Sequence, residues 1–548
     1  MHGSQRHMPI LAVSSVLAVS LLAAPIASAD PTSNDLEVRI LTIGDFNSAL
    51  QPPEGDQGTV TQSDGTRIEA GGAAYVGTLL DQLRRQANKS MLLSAGNNIQ
   101  PNSGDETSTL LHHEPTIDLL NKWNVDASAV GGHELADGLP ELLRKSNGGC
   151  HADRPCDDPP FEGAQYPHLG ANIDGPEGDA VASPFVIRHF DGIPVGVIGV
   201  TSRSTDNGAA FHLADELESI TRSAEALEFF GVKAMVLLLH DPDSPESPRG
   251  PNDCGAENTR AYAIASQATT QVDAIITSGG DTPYYCTVAD PEGSDRVLIH
   301  PAGFGKSIAV TDLNIDRTTG EVRRDRVSAF NQIVTRNVEP DPTVEEFIRD
   351  AENKASALSE RRVGELADIA TRDSAETGES GLGKLLADAA AHAHPEADAV
   401  LLHPGLIRAD LRRVVTYGDI HAAIATAPLA VTELTGAQLR DLLEQQFRDD
   451  SDVILQPSAA LSYTVDNDAE LGHKVSDPRI GDEPISPTDT YRIVVDSHIL
   501  DPASGFTAQH ETTPTTSDKN NTDALRNYIE SNTPVAVGAD ERISRTSE

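Results

Sequence analysis

Five short polar clusters hold most of the residues in this chain that could do chemistry. They are Gly44-Asp45-Phe46-Asn47, Gly96-Asn97-Asn98, Gly131-Gly132-His133-Glu134, His240-Asp241 and Ser278-Gly279-Gly280-Asp281-Thr282. Carboxylate, amide and imidazole groups bind cations, and the carboxylates and imidazoles also move protons. Each cluster follows an apolar run: VRILTI, SMLLSA, ASAV, AMVLLL and VDAIIT. Runs of this length, ended by Gly and polar residues, predict buried strands. Ligands of open α/β sheets bind just beyond the carboxyl ends of such strands. One edge of a sheet is therefore expected to gather Asp45, Asn47, Asn97, His133, Glu134, His240 and Asp281.

The chain has 548 residues, enough for two or more cores. Residues 1–29 read as a secretory signal peptide, with Arg6 near the start, an apolar stretch from Ile10 to Ala24, and Ala27-Ser28-Ala29 before the cleavage point. The mature protein is expected to be secreted, with no membrane insertion. In an oxidising compartment Cys150, Cys156, Cys254 and Cys286 become disulfide candidates. Four cysteines allow three connectivities, of which Cys150–Cys156, closing the polar insert GGCHADRPCDDPP, with Cys254–Cys286, stapling two loops, is favoured, and a zinc site is the alternative. A net charge of −43 repels phosphodiester backbones and excludes polymeric nucleic acid as a partner. A small nucleotide or phosphate ester remains open as a ligand, and the sequence names no protein partner.

Strand and helix signals alternate over 36–335. The segment PDPTVEEFIRDAENKASALSERR, with Asp341 as N-cap and Pro342 at the first turn, predicts a connector helix within 336–361. A second, α+β region spans 362–540, opening with the amphipathic GESGLGKLLADAAAHA.

In this order along the chain, GGAAYVGTLLDQLR, LLSAGNNIQPNS, VDASAVGGHELADG, YPHLGANI, VDAIITSGGDT, ESGLGKLLADA, VTYGDI and ELTGAQL resemble landmarks of the secreted 5′-nucleotidase family. The resemblance implies a four-layer α/β/β/α metallophosphatase-like sandwich followed by a smaller α+β 5′-nucleotidase C-terminal domain. It also implies two divalent metals held at strand ends, with Asp45, Asn47, Asn97, Gly132, His240, Gly279 and Asp281 falling on the ligand positions. Only Asp45 and His240 keep the family's residue type there. His133 falls on the catalytic-type histidine, followed by Glu134, and Arg408 and Phe506 fall on substrate-binding positions of the second domain. The second stacking ring and the ribose-binding carboxylate of the family have no counterpart.

The substitutions have an electrostatic consequence. Two dications about 3.5–4 Å apart need anionic bridging, and a neutral Asn97 supplies none. A full dinuclear centre is therefore disfavoured. One hard divalent cation (magnesium, calcium or manganese) on the oxygens of Asp45, Asn47, Asn97 and Asp281 is one outcome, and an empty pocket is the other. His133 reads either as a general acid or as a loop histidine bonded to nearby backbone. Two functions follow: a retained scaffold that binds a ligand or partner with weak or no phosphoesterase activity, or an active extracellular metal-dependent phosphoesterase.

Overall fold

The computed structural model describes residues 35–546 apart from 101–104, 152–155, 157–158, 206–210, 246–248, 450, 502–503, 509–513 and 539. The expected signal peptide, residues 1–29, lies outside the described residues.

Two six-stranded sheets form the first part of the chain. The first is built from β1 (Asp35–Ile43), β2 (Ser90–Ser94), β3 (Ala127–Ala129) and β4 (His168–Leu169), all parallel. The second has the hairpin β5 (Phe185–Phe190) and β6 (Ile193–Thr201), then β7 (Ala234–His240), β8 (Ala274–Ser278), β9 (Tyr284–Ala289) and β10 (Asp295–His300). Strands β6, β7, β8 and β10 run parallel, so their carboxyl ends share one edge. The chain then returns to the first sheet, where β11 (Ser307–Asp316) pairs antiparallel with β1 and β12 (Ser328–Ile333) with β11.

The period of two in β1 explains the layering. Leu36, Val38 and Ile40 face the second sheet and pack with Val195, Val236, Leu238 and Ile276. Leu41 and Ile43 face the other way, against α1 (Ala73–Arg85) through Leu80 and Leu83. On the far side of the second sheet, Ile198, Leu237 and Leu239 meet helical Ile220, Leu227 and Ile264. Helices thus cover both outer faces, giving the α/β/β/α sandwich, and strands buried on both faces carry near-continuous apolar sequence.

The helix Glu106–Leu110, α2, is followed by α3 (Glu114–Lys122), and α4 (Pro342–Ser359) is the connector. The Asp341 carboxylate caps α4 at Thr343 N, and Val344, Ile348, Ala351 and Ala355 bury one stripe at helical spacing. Beyond it, α5 (Gly381–Ala393) covers a five-stranded sheet that includes β13 (Ala399–Leu402), β14 (Pro428–Thr435) and β15 (Thr490–Asp496). Val400, Leu402 and Val494 face α5, whereas Leu401, Ile493 and Val495 face a second apolar cluster. Leu110 and Leu111, from the end of α2, are buried in the first of these clusters beside Ala351 and Ala355. The chain that leaves the β2 cluster is therefore stitched into the second domain.

Both favoured disulfides are formed, Cys150–Cys156 and Cys254–Cys286. Among the described residues no helix is long and apolar enough to cross a membrane.

Candidate functional site

The loops after β1 and β2 interlock through backbone bonds, and side chains tie the loops after β3 and β8 to them. Asp45 N, Asn47 N and Ser48 N donate to the carbonyls of Gly96, Asn97 and Asn98 at 3.0, 3.0 and 2.8 Å. This ladder forces Asp45, Asn47, Ser48 and Asn97 into the left-handed region, with φ of 47°, 53°, 56° and 52°. Asp and Asn tolerate that conformation best among side-chain-bearing residues, which explains the local composition. Gly131 must lack a side chain, because a Cβ there would sit 2.4 Å from Asn97 Oδ1.

Glu134, only 2 % exposed, is the clamp of these loops. Its Oε2 accepts from Asn97 N at 2.9 Å and Gly131 N at 2.8 Å, and its Oε1 accepts from Asn98 N at 2.7 Å. All three donors are backbone, so the carboxylate holds the cluster's shape rather than facing a ligand.

The expected ligand positions bond chiefly to one another. Asn97 Nδ2 donates to Asp45 Oδ1 at 3.1 Å, Gly279 N donates to Asp45 Oδ2 at 2.8 Å, and His133 N donates to Asn97 Oδ1 at 2.9 Å. The His133 ring has Nδ1 at 3.0 Å from Asn47 Oδ1 and 2.9 Å from the Ile99 carbonyl. Both neighbours are acceptors, so Nδ1 carries the proton and Nε2 keeps its lone pair. His240 Nδ1 lies 2.9 Å from Ser278 Oγ, whose hydroxyl donates to the Ala95 carbonyl. The imidazole is therefore the donor in that pair.

Sequence reasoning missed His300 and Lys306. His300 ends β10 as His240 ends β7, so the same strand-end signal was present in VLIH. Its Nε2 donates to the Gly280 carbonyl at 3.0 Å, and Nδ1 lies 3.0 Å from Thr277 Oγ1. Lys306 Nζ lies 2.6 Å from Asp281 Oδ1 and 2.8 Å from Oδ2.

Burial dominates the titration of the pocket. It pushes the Asp45 carboxyl up to about 8, with Glu134 and Asp281 adding to the rise against the bonds from Gly279 and Asn97. It pushes His240 down to about 3 and His300 down to about 4. At neutral pH the 3.8 Å approach of His300 Nε2 to Asp45 Oδ2 thus joins two neutral groups and is no ion pair.

This donor set does not fit a dinuclear metal centre. Among the described residues no three His, Cys, Asp or Glu side chains are grouped so as to hold a metal ion. Both Asp45 oxygens, the Asn97 amide and both His300 nitrogens are engaged within the protein, and Lys306 is paired with Asp281. The expected single cation on Asp45, Asn47, Asn97 and Asp281 meets the same obstacle. An all-oxygen site needs oxygens that converge on an open position.

In the second domain, a profile of the 5′-nucleotidase C-terminal domain matches residues 362–511. Residues 362–511 thus carry a 5′-nucleotidase C-terminal domain, and the chain as a whole is similar to proteins built on this domain. It is 27 % identical to an endonuclease of Bacillus subtilis over 474 residues, covering 84 % of this chain and 37 % of that protein. It is also 27 % identical to a cell wall protein of Listeria monocytogenes over 555 residues, covering 92 % of this chain and 68 % of the relative. The chain therefore spans little more than a third of the endonuclease's own length. In fold it resembles the NAD nucleotidase of Haemophilus influenzae, with a TM-score of 0.59 at 16 % identity, over 94 % of this chain and 100 % of that one.

The substrate positions that 5′-nucleotidase resemblance implies diverge in this chain. Arg408 is exposed, close enough to His498 to influence it electrostatically. Phe506 is 0 % exposed and lies in the apolar cluster of Leu401 and Val495. The Arg448 guanidinium stands over its ring at 4.8 Å, and His403 meets it edge-on at 6.3 Å. This corrects the expected stacking role: a ring closed off in the core offers no face to a base. His403 and His498 stack above, with centroids 5.9 Å apart.

Proposed function

We propose that this 5′-nucleotidase-family protein is a secreted binding protein that has kept the phosphoesterase scaffold without its hydrolytic centre. Residues 36–335 would carry the pocket, 336–361 the connector, and 362–540 the second domain. The observation that carries the reading is the self-satisfied hydrogen bonding of Asp45, Asn97 and His300. Hydrolysis of a phosphate ester in such a pocket needs an activated water and a cation to receive charge on the phosphoryl oxygens. Neutral Asp45 and His300 supply neither. Extracellular placement draws support from the two disulfides and from the relative described as a cell wall protein.

A second reading, an active phosphoesterase, rests on one observation. The His133 tautomer leaves Nε2 able to accept a proton. Elemental analysis of the purified mature protein separates the two, combined with phosphate release from AMP, UMP, a cyclic dinucleotide and a UDP-sugar with and without manganese. The binding reading expects less than one metal per chain and no release above background. Release that disappears in Asp45→Ala establishes the second reading instead.

A further inference from the structure

Two consecutive histidines after α2 adopt a backbone that rarely suits a side chain. His112 N donates to the Thr109 carbonyl at 3.2 Å, and His113 N donates to the Ser108 carbonyl at 2.7 Å. That pair of bonds closes a helix on one left-handed residue, a place ordinarily taken by glycine. Here His112 occupies it with φ of 51°. His113 follows with φ of 62°, which the helix ending does not require. Strained residues persist only when their surroundings hold them in place, and the two imidazoles show what holds this pair.

His112 reaches the second domain. Its Nε2 lies 3.5 Å from the hydroxyl of Tyr417, the first residue of α6 (Tyr417–Ala423). The preceding Leu111 is buried in the same apolar cluster as Tyr417. The His151 ring lies flat on that of His112, with centroids 3.6 Å apart and planes 5° from parallel. His113 reaches the pocket instead. Its side chain is buried, and Nδ1 lies 2.9 Å from Ser48 Oγ. Ser48 N donates to the Asn98 carbonyl, and Asn98 N donates to Glu134. Two glycines would make this turn without strain but would touch neither side.

We propose that His112-His113 couples the second domain to the pocket loops, so that loosening either side relaxes the strained turn and loosens the other. As a regulation of that pocket, the coupling rests on the binding reading above. The turn is the two-state element that both sides bias, and coupling between two sites is reciprocal.

Hydrogen exchange of the ligand-free mature protein, read by mass spectrometry over 44–50, 95–99 and 417–423, follows both sides at once. Tyr417→Leu removes the second-domain contact of His112, and Ser48→Ala removes the pocket contact of His113. Each is expected to speed exchange on the opposite side at least about fivefold, the low end of typical coupling. Ile420→Ala, at another buried position of α6, is expected to leave the pocket loops unchanged. His112→Gly suits the left-handed backbone but lacks the ring, so in that background Tyr417→Leu should no longer reach the pocket. Effects confined to each variant's own domain overturn the proposal. A pocket response to Ile420→Ala, or one to Tyr417→Leu that survives in His112→Gly, overturns it as well. Should Tyr417→Leu not fold, the response of 417–423 to Ser48→Ala decides alone. No ligand or metal enters these measurements, so failure of the coupling leaves the binding reading standing. Phosphate release by the unaltered protein would refute that reading while exchange still decides the coupling.

Discussion

Glu134→Ala tests the idea that the pocket's shape is set by one carboxylate. The substitution removes the acceptor for Asn97 N, Asn98 N and Gly131 N at 2.9, 2.7 and 2.8 Å. A buried donor left without a partner costs about 1–3 kcal/mol. Three such donors give about 3–6 kcal/mol once water entry into the vacated space is allowed for. Glu134→Gln should fall between, since one amide oxygen can keep the two donors now on Oε2 while its NH₂ opposes Asn98 N. The assay exploits the single tryptophan of the chain, Trp123, which meets Phe46 edge-on at 5.6 Å. Phe46 follows Asp45, so tryptophan fluorescence during urea unfolding reports this domain rather than the second one, which matters for a multidomain chain. The alanine variant should show a clear drop in the fluorescence midpoint at unchanged slope. A change equivalent to less than about 1 kcal/mol would show that water replaces the carboxylate readily and that the clamp is not needed.

Other expectations follow from the same geometry. Glu141 is held down to about 2, against an ordinary 4.5, by Arg144 and Lys145, which outweigh its burial. A depressed carboxylate stabilises above its unfolded value, so about 3 kcal/mol should be present at neutral pH and lost as pH falls from about 4.5 to about 2. Glu141→Gln should flatten that part of the stability profile. Phe506→Ala should lower stability by about 3–5 kcal/mol. A change in ligand affinity without such a loss would contradict the burial of the ring. Replacing Cys254 and Cys286 by serine removes a bridge between residues 32 apart. Thermal unfolding should then register a loss of about 2–4 kcal/mol.

Much of the scaffold is readable from the chain because burial on both faces leaves uninterrupted apolar runs. VRILTI and AMVLLL are strands in the sequence and in the structure, with Asp45 and His240 at or just beyond their carboxyl ends. The connector helix is readable because Asp341 and Pro342 mark its start by local chemistry alone. What escaped depends on contacts between distant segments. Glu134 resembles a reactive acid until three backbone donors, two of them about 36 residues away, are seen to surround it. Phe506 resembles an open ring until Arg448, 58 residues earlier in the chain, is found over it. Asp281 offers oxygen to a cation on paper, and Lys306, 25 residues on, takes that oxygen in space.

The burial of Leu110 and Leu111 among residues of the connector and the second domain bears on how this protein can be handled. A fragment ending near residue 335 would expose both leucines, just downstream of the Asn97 loop, to water. Cutting at the connector therefore cannot yield two independent modules. Excised first halves should clump or recruit detergent, and a binding measurement made on them would report that stickiness rather than the pocket.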